Sequence, residues 1–383
     1  MAAAIFLAAG LLAAVICFSP SQDEPEFEAE ISRIQDPEIR SAYENLQVQL
    51  SQHLPGFICW GDSLTFGAGG WGASYPIILE ELLYNQLIKP VNDCIAQYAP
   101  ELPPIPDIPV INMGVGGEDS ITILGRNGAI PMILTEPVHV PFLKDYTQVH
   151  LQSASGKPVE PLYQGRAGLE YVVIDGVKGY LNLRPVEEGS DQMGYYFSRR
   201  RRGLPKDIPA GTPIITAGSE NYKNYIPILF IGTNQGYDSI EELIEQQNAL
   251  IEHQSGNPKD GDQPRFLVIG LHINTAEMQA PMEQAMEQEY GRQYINLREY
   301  MVTEGLKDAG IPPTEEDLLR ISYGMTPSSL MIEDELHFNG QGYVLIGNLL
   351  YNRAEELHYL DEVTAAFDNL LSCIQEKAEV ETP

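Results

Sequence analysis

The stretch Phe57-Ile58-Cys59-Trp60-Gly61-Asp62-Ser63-Leu64 decides the fold. A short apolar run closed by Gly61 does not alternate with polar residues, so it reads as a strand buried on both faces, as in a parallel sheet. Ser74 to Ile88 follows with apolar residues at helical spacing. The same alternation returns downstream. Ile108–Asn112 reads as a strand, Ile226–Ile231 as a strand with a helix over Ser239–His253, and Phe266–Leu271 as a strand with a helix over Glu277–Tyr290. Tyr294–Leu297 supplies a last short strand. Alternating strands and helices predict an α/β fold with a doubly wound parallel sheet, whose ligands bind beyond the carboxyl ends of the strands.

Between 135 and 222 the pattern changes. Val138–Phe142, Gln148–Gln152, Leu169–Ile174, Gly179–Leu183, Gly194–Phe197 and Pro213–Thr216 are β-branched and aromatic runs separated by Gly, Pro and Asp turns. Because the α/β pattern resumes at Ile226, this segment is expected to be a β-rich insertion. The expected organisation is therefore a signal peptide or membrane anchor over 1–22, a helical linker over 23–54, and an α/β domain in two parts, 55–134 and 223–360. Residues 361–383 form an acidic C-terminal tail, frayed after Glu376.

The leader expectation rests on the unbroken apolar run of residues 1–18, which predicts a protein that is secreted or held at the cell surface, with membrane contact only through that segment. With 23 Lys+Arg against 54 Asp+Glu, the formal charge of -31 repels nucleic acid and anionic membranes at long range. Four cysteines are too few for a disulfide framework. Cys94 and Cys373 form either one bridge or two separate buried thiols. No metal-site spacing occurs, and neither a metal nor an organic cofactor is expected.

Ser63 follows the first strand directly, so its hydroxyl is expected at the carboxyl edge of the sheet. A serine hydroxyl is a poor nucleophile until a neighbouring base takes its proton, and that base works best when a carboxylate fixes its tautomer. Asp334-Glu335-Leu336-His337, just before a helix from Gly340 to Leu357, supplies both groups. Two further turns follow strands: Asn112-Met113-Gly114-Val115-Gly116-Gly117, where glycine lets a backbone N–H approach a substrate, and Gly232-Thr233-Asn234, whose amide is a second donor. His272 ends a strand and is expected to line the pocket. Leu64, Phe66, Trp71 and Tyr75 are expected to wall it, with Trp71 and His272 as the substrate-binding candidates.

Together these four blocks, in this order, resemble the SGNH (GDSL-type) hydrolase superfamily. The resemblance covers about 57–125 and 226–357 and implies a three-layer α/β/α, flavodoxin-like fold. It implies Ser63 as nucleophile, His337 as general base and then acid, and Asp334 as its orienter. The N–H groups of Ser63 and Gly117 and the Asn234 amide are implied as the oxyanion hole. One departure is Gln235, where the family usually has Asp, and altered loop support is expected there.

The expected function is a serine esterase that removes O-acyl, and specifically O-acetyl, groups from an extracellular or cell-wall carbohydrate. A lipase-like or lysophospholipid esterase, an acyltransferase, and a glycan-binding protein on an esterase scaffold remain as alternatives. The partner is a small-molecule or polysaccharide ester. Arg199–Arg202, the one dense basic run, reads either as a solvated loop or as recognition of a uronate, phosphate or other anionic group.

Overall fold

Strand β1 (Phe57–Gly61) is buried at every position, and its side chains divide between two cores. Phe57 and Cys59 join one apolar cluster, and Ile58 and Trp60 join another. This is the two-faced burial that its unbroken apolar run requires. The computed structural model describes residue 34, residues 36–255 and residues 263–381. The predicted leader, Cys17 and residues 23–33 of the predicted linker lie outside them.

After β1 and β2 (Val110–Gly114) come nine short strands of the insertion, β3 (Met132–Leu134) to β11 (Ile214–Thr216), and then β12 (Ile226–Phe230), β13 (Leu267–Ile269) and β14 (Tyr294–Ile295). The main sheet has the order β14-β13-β12-β1-β2 with every pair parallel. The protein is thus mixed α/β around a five-stranded parallel sheet. One face is covered by helices that include Pro37–His53, Tyr75–Leu83, Gly340–Glu356 and Asp361–Glu381. The other face is covered by Ser120–Asn127, Ile240–Ser255 and Ala276–Tyr290.

Register sets the site. Gly61 of β1 is level with Gly114 of β2 and with Phe230 of β12. The residues that follow each strand, Asp62-Ser63, Val115-Gly116-Gly117 and Gly232-Thr233-Asn234, therefore emerge side by side at one edge. A side chain on Gly114 would lie 2.1 Å from Phe66 N, and one on Gly61 would lie 2.5 Å from Phe230 O. Only glycine lets the short helix Ser63–Phe66 sit this close to the strand ends.

In the insertion, β8 (Val177–Pro185) and β9 (Met193–Arg199) form a long antiparallel hairpin within the five-stranded sheet β11-β7-β8-β9-β5, where β5 is Thr147–Val149 and β7 is Val172–Ile174. This sheet has its own apolar cluster, including Val172, Leu181 and Phe197. The run predicted over Gln148–Gln152 splits at His150 into β5 and β6 (Leu151–Ser153), which belong to different sheets.

Two expectations need correction. The helix predicted to end at Ile88 continues to Tyr98 through a π-turn over Tyr84–Ile88, next to Pro90, which has no N–H to donate. The predicted tail instead forms the helix Asp361–Glu381, which packs along Pro37–His53. Its Val363, Ala366, Phe367, Leu370 and Ile374 are buried at helical spacing, and this apolar stripe outweighs the acidic composition. Of the two alternatives for Cys94 and Cys373, two separate thiols hold: among the described residues both are free, Cys94 buried and Cys373 half-buried.

Candidate active site

Asp62 caps the helix Ser63–Phe66 by accepting the Leu64 N–H at 2.9 Å, which fixes Ser63 as its first residue. Ser63 Oγ lies 2.8 Å from His337 Nε2, and His337 Nδ1 lies 2.6 Å from Asp334 Oδ2. The carboxylate accepts at Nδ1, so that nitrogen carries the proton and Nε2 is left bare to accept from the serine hydroxyl. Asp334 Oδ1 also accepts the backbone N–H groups of Leu336 at 3.0 Å and His337 at 2.9 Å. Partial burial pushes the Asp334 carboxyl up, but these hydrogen bonds from His337 and Leu336 outweigh it and hold the group below the usual aspartate value.

The turn carrying Asp334 and His337 is braced from both sides. Glu335 takes a left-handed backbone (φ 58) and pairs with Arg320 at 3.0 Å. Beneath the turn, His272 donates Nε2–H to the Leu336 carbonyl at 2.9 Å and packs its ring 4.2 Å from that of Phe338. His272 is buried, its Nδ1 has no hydrogen-bond partner among the described residues, and desolvation lowers its pKa to about 4, so the ring stays neutral. It is therefore a support for the His337 turn and not a pocket wall. Its place at the end of a strand suggested a pocket residue; burial between Phe230 and Phe338 decides otherwise.

The other expected wall residues divide. Leu64 and Tyr75 are core, and the Tyr75 hydroxyl lies 2.9 Å from Thr65 Oγ1. Phe66 and Trp71 are exposed, Trp71 at 95%. The loop bearing Trp71 runs past His337, since a side chain on Gly69 would lie 3.1 Å from His337 Cβ.

On the opposite side, a side chain on Gly116 would lie 3.8 Å from Ser63 Cβ, so the Gly116-Gly117 turn stands beside the nucleophile. Gly117 has φ 76. Asn234 Nδ2 donates to the Glu118 carbonyl at 3.1 Å, which brings its amide to the same turn and leaves the second N–H of that amide for another acceptor. Gln235 contributes through its backbone: its carbonyl accepts the Ser120 N–H at 2.9 Å, and its side chain is exposed.

The chain matches no family model, no curated protein and no solved structure.

Three participants were not anticipated from sequence. Asp62 is buried, and desolvation raises its carboxyl to about 6 despite the Leu64 N–H and nearby His337. Glu118 and Arg126 form a buried ion pair, Nε to Oε2 at 2.5 Å. Arg126 also donates to the carbonyls of Met113 at 3.0 Å and Ala167 at 2.8 Å, so one guanidinium ties β2, the Gly116-Gly117 turn and the insertion together. The third is Gln164 of the insertion. A side chain on Gly116 would lie 2.5 Å from Gln164 Oε1, so this exposed amide rests on the turn beside Ser63. The adjacent glycines were the only sequence signal for such a close approach, and they do not name the partner.

Chemically, the arrangement can deprotonate a serine hydroxyl as it attacks a carbonyl carbon. The second N–H of the Asn234 amide, at the turn beside Ser63, is a further hydrogen-bond donor there.

Proposed function

We propose that this protein is a serine esterase of the SGNH hydrolase type that removes O-acetyl groups from an extracellular or cell-wall carbohydrate. The observation that carries the reading is the continuous line Asp334 Oδ2, His337, Ser63 Oγ, with links of 2.6 and 2.8 Å. Support for the finer fold comes from the sheet order, which in chain sequence is 2-1-3-4-5, the flavodoxin-like order. The four sequence blocks also stand at one edge of that sheet.

In this reading His337 Nε2 takes the Ser63 proton while Oγ bonds to the acyl carbon, and the imidazolium is stabilised by Asp334. The tetrahedral oxyanion is held by the N–H groups of Ser63 and Gly117 and by the Asn234 amide. Collapse breaks the bond to the alkoxyl oxygen, which leaves as an alcohol with the proton from His337. Water then attacks the acyl-enzyme with His337 again as base, releasing acetate and restoring Ser63. A carbohydrate alcohol is favoured by the exposed rings of Phe66, Trp71 and Tyr163, the last adjacent to Gln164.

The test is acetate release by the full chain, wild type and Ser63→Ala, from a short-chain chromogenic ester and from O-acetylated polysaccharides. Release that requires Ser63 is expected from both. Equal rates in the two proteins would remove the mechanism, and a preference for long acyl chains would replace the carbohydrate by a lipid.

A further inference from the structure

The insertion concentrates positive charge in a chain that is otherwise acidic. Between Lys178 and Lys206 lie seven of the 23 Lys and Arg residues: Lys178, Arg184, Arg199 to Arg202, and Lys206. The carboxylates in that span, Glu187, Glu188 and Asp191, sit in the turn that closes the β8–β9 hairpin. The arginines lie at the other end, where Arg199 pairs with Gly179.

There the surface opens into a cleft of about 470 Å³ lined by Gly176, Val177, Lys178 and Arg199–Arg202. Among the described residues no carboxylate lines it. Asp175, next to it in sequence, is engaged by Lys206 at 2.8 Å. Arg199 forms the frame of the cleft: it is buried and donates Nη1–H to the carbonyls of Pro141, Gly203 and Leu204, at 2.8, 2.7 and 3.1 Å. Its Nε–H, also buried, has no partner among the described residues. This brace turns the chain so that Arg200, Arg201 and Arg202 stand exposed, and among the described residues they have no ion-pair or side-chain hydrogen-bond partner. Lys178 stands 3.3 Å from the centre of the Tyr171 ring. Adjacent guanidinium groups repel one another, so an unpaired run in a chain with 54 acidic residues leaves a site for an outside anion.

Two features select the kind of anion. Tyrosines surround the hairpin: Tyr171 beside Lys178, Tyr180, Tyr195 and Tyr196 on the strands, and the exposed Tyr146 under Arg184. Their amphipathic rings suit the apolar faces of sugars. A polymer of uronate sugars offers both partners at once, an apolar ring face and a planar carboxylate that a guanidinium meets with two parallel hydrogen bonds. Strand β9 also joins the cleft to the catalytic edge. Arg166, two residues after Gln164, donates Nη2–H to the Leu181 carbonyl of β8 at 3.0 Å, and Leu181 pairs with Phe197 of β9, two residues from Tyr195. Arg199 is four residues further along the same strand, a span of about 13 Å.

We propose that the cleft formed by Lys178 and Arg199–Arg202 binds the carboxylates of an acidic polysaccharide and thereby holds the chain whose acyl ester reaches Ser63. The binding half stands on the cleft alone; the presentation half rests on the esterase reading above.

The experiment uses the full chain carrying Ser63→Ala, with and without the triple change Arg200→Gln, Arg201→Gln, Arg202→Gln. Affinity is measured for polygalacturonate, for neutral dextran and for an oligodeoxythymidylate. Binding of polygalacturonate that weakens with salt and falls at least about tenfold in the triple variant is expected, with no binding of dextran. Equal polygalacturonate binding by both proteins, equal binding of dextran, or tighter binding of the oligonucleotide would each overturn the cleft. In the Ser63 background, turnover of a short chromogenic ester should be unchanged by the triple variant. Arginine-dependent binding without any ester turnover would sink the esterase and leave the cleft standing; turnover without arginine-dependent binding would do the reverse.

Discussion

In the α/β body Asp62, Glu118, Arg126 and His272 are all buried within reach of the turns around Ser63, whereas in the insertion Lys178 and Arg200–Arg202 stand in water. The first set pays a desolvation cost, visible in Asp62 raised to about 6 and His272 lowered to about 4. What that cost secures is position: each group fixes one of the turns that carry Ser63, Gly117 or His337. Exposed cations fix little, because water screens them and their side chains move, but they are free to meet an incoming anion. The comparison assigns buried charge to geometry and exposed charge to recruitment.

The largest expected effect tests the body where it meets substrate. Ser63→Ala or His337→Ala should lower ester turnover by roughly 10³–10⁶-fold while denaturation midpoints stay near wild type. Next comes the brace. Arg126→Met leaves the Glu118 carboxylate buried without its partner and should cost about 3–5 kcal/mol in denaturant unfolding. A change of that size on Arg202→Gln, which is exposed, would break the distinction between the two sets. Third is Asn234→Ala, expected to reduce kcat by roughly 10²–10³-fold through loss of an oxyanion donor. Because Asn234 also ties the β12 turn to Glu118, stability should be measured alongside; a loss of kcat matched by unfolding would remove the donor role.

The strands of the body were legible because burial on both faces leaves an uninterrupted apolar run, as in Phe57–Trp60 and Ile226–Ile231. The insertion was legible as β through its turns and β-branched runs, but its pairing was not. His150 divides one apparent strand between two sheets, and nothing local to it encodes which partner each half takes. Ser63, Asp334 and His337 were legible because a strand end and a helix start mark their turns. His272 was misplaced for the opposite reason: pattern locates a residue at a strand end but does not tell whether the space beyond is solvent or Phe338. Asp361–Glu381 was obscured by its acidic composition, although its apolar residues already recur at helical spacing. Arg126 and Gln164 reach the site through contacts across long sequence separations, which single-chain patterns do not contain.

The smallest effect concerns Asp62 and His272, whose buried charges have opposite dependence on pH. Asp62 has its folded pKa raised from 3.8 to about 6, so the folded state holds its proton more tightly and stability falls as pH rises between those values. His272 has its folded pKa lowered from 6.5 to about 4, so its contribution is complete above 6.5 and is lost as pH falls toward 4. Each is worth on the order of 3 kcal/mol, and across the shared window they oppose one another. Asp62→Asn keeps the acceptor for Leu64 N–H but removes the charge. The variant should therefore be more stable than wild type by up to about 3 kcal/mol at pH 8, with the advantage shrinking toward zero at pH 4. Denaturant midpoints of both proteins at pH 8, 6 and 4 measure this difference. An advantage that is the same at all three values would mean that Asp62 shapes the Ser63 turn by packing alone, and the distinction between buried and exposed charge would then lose its clearest case.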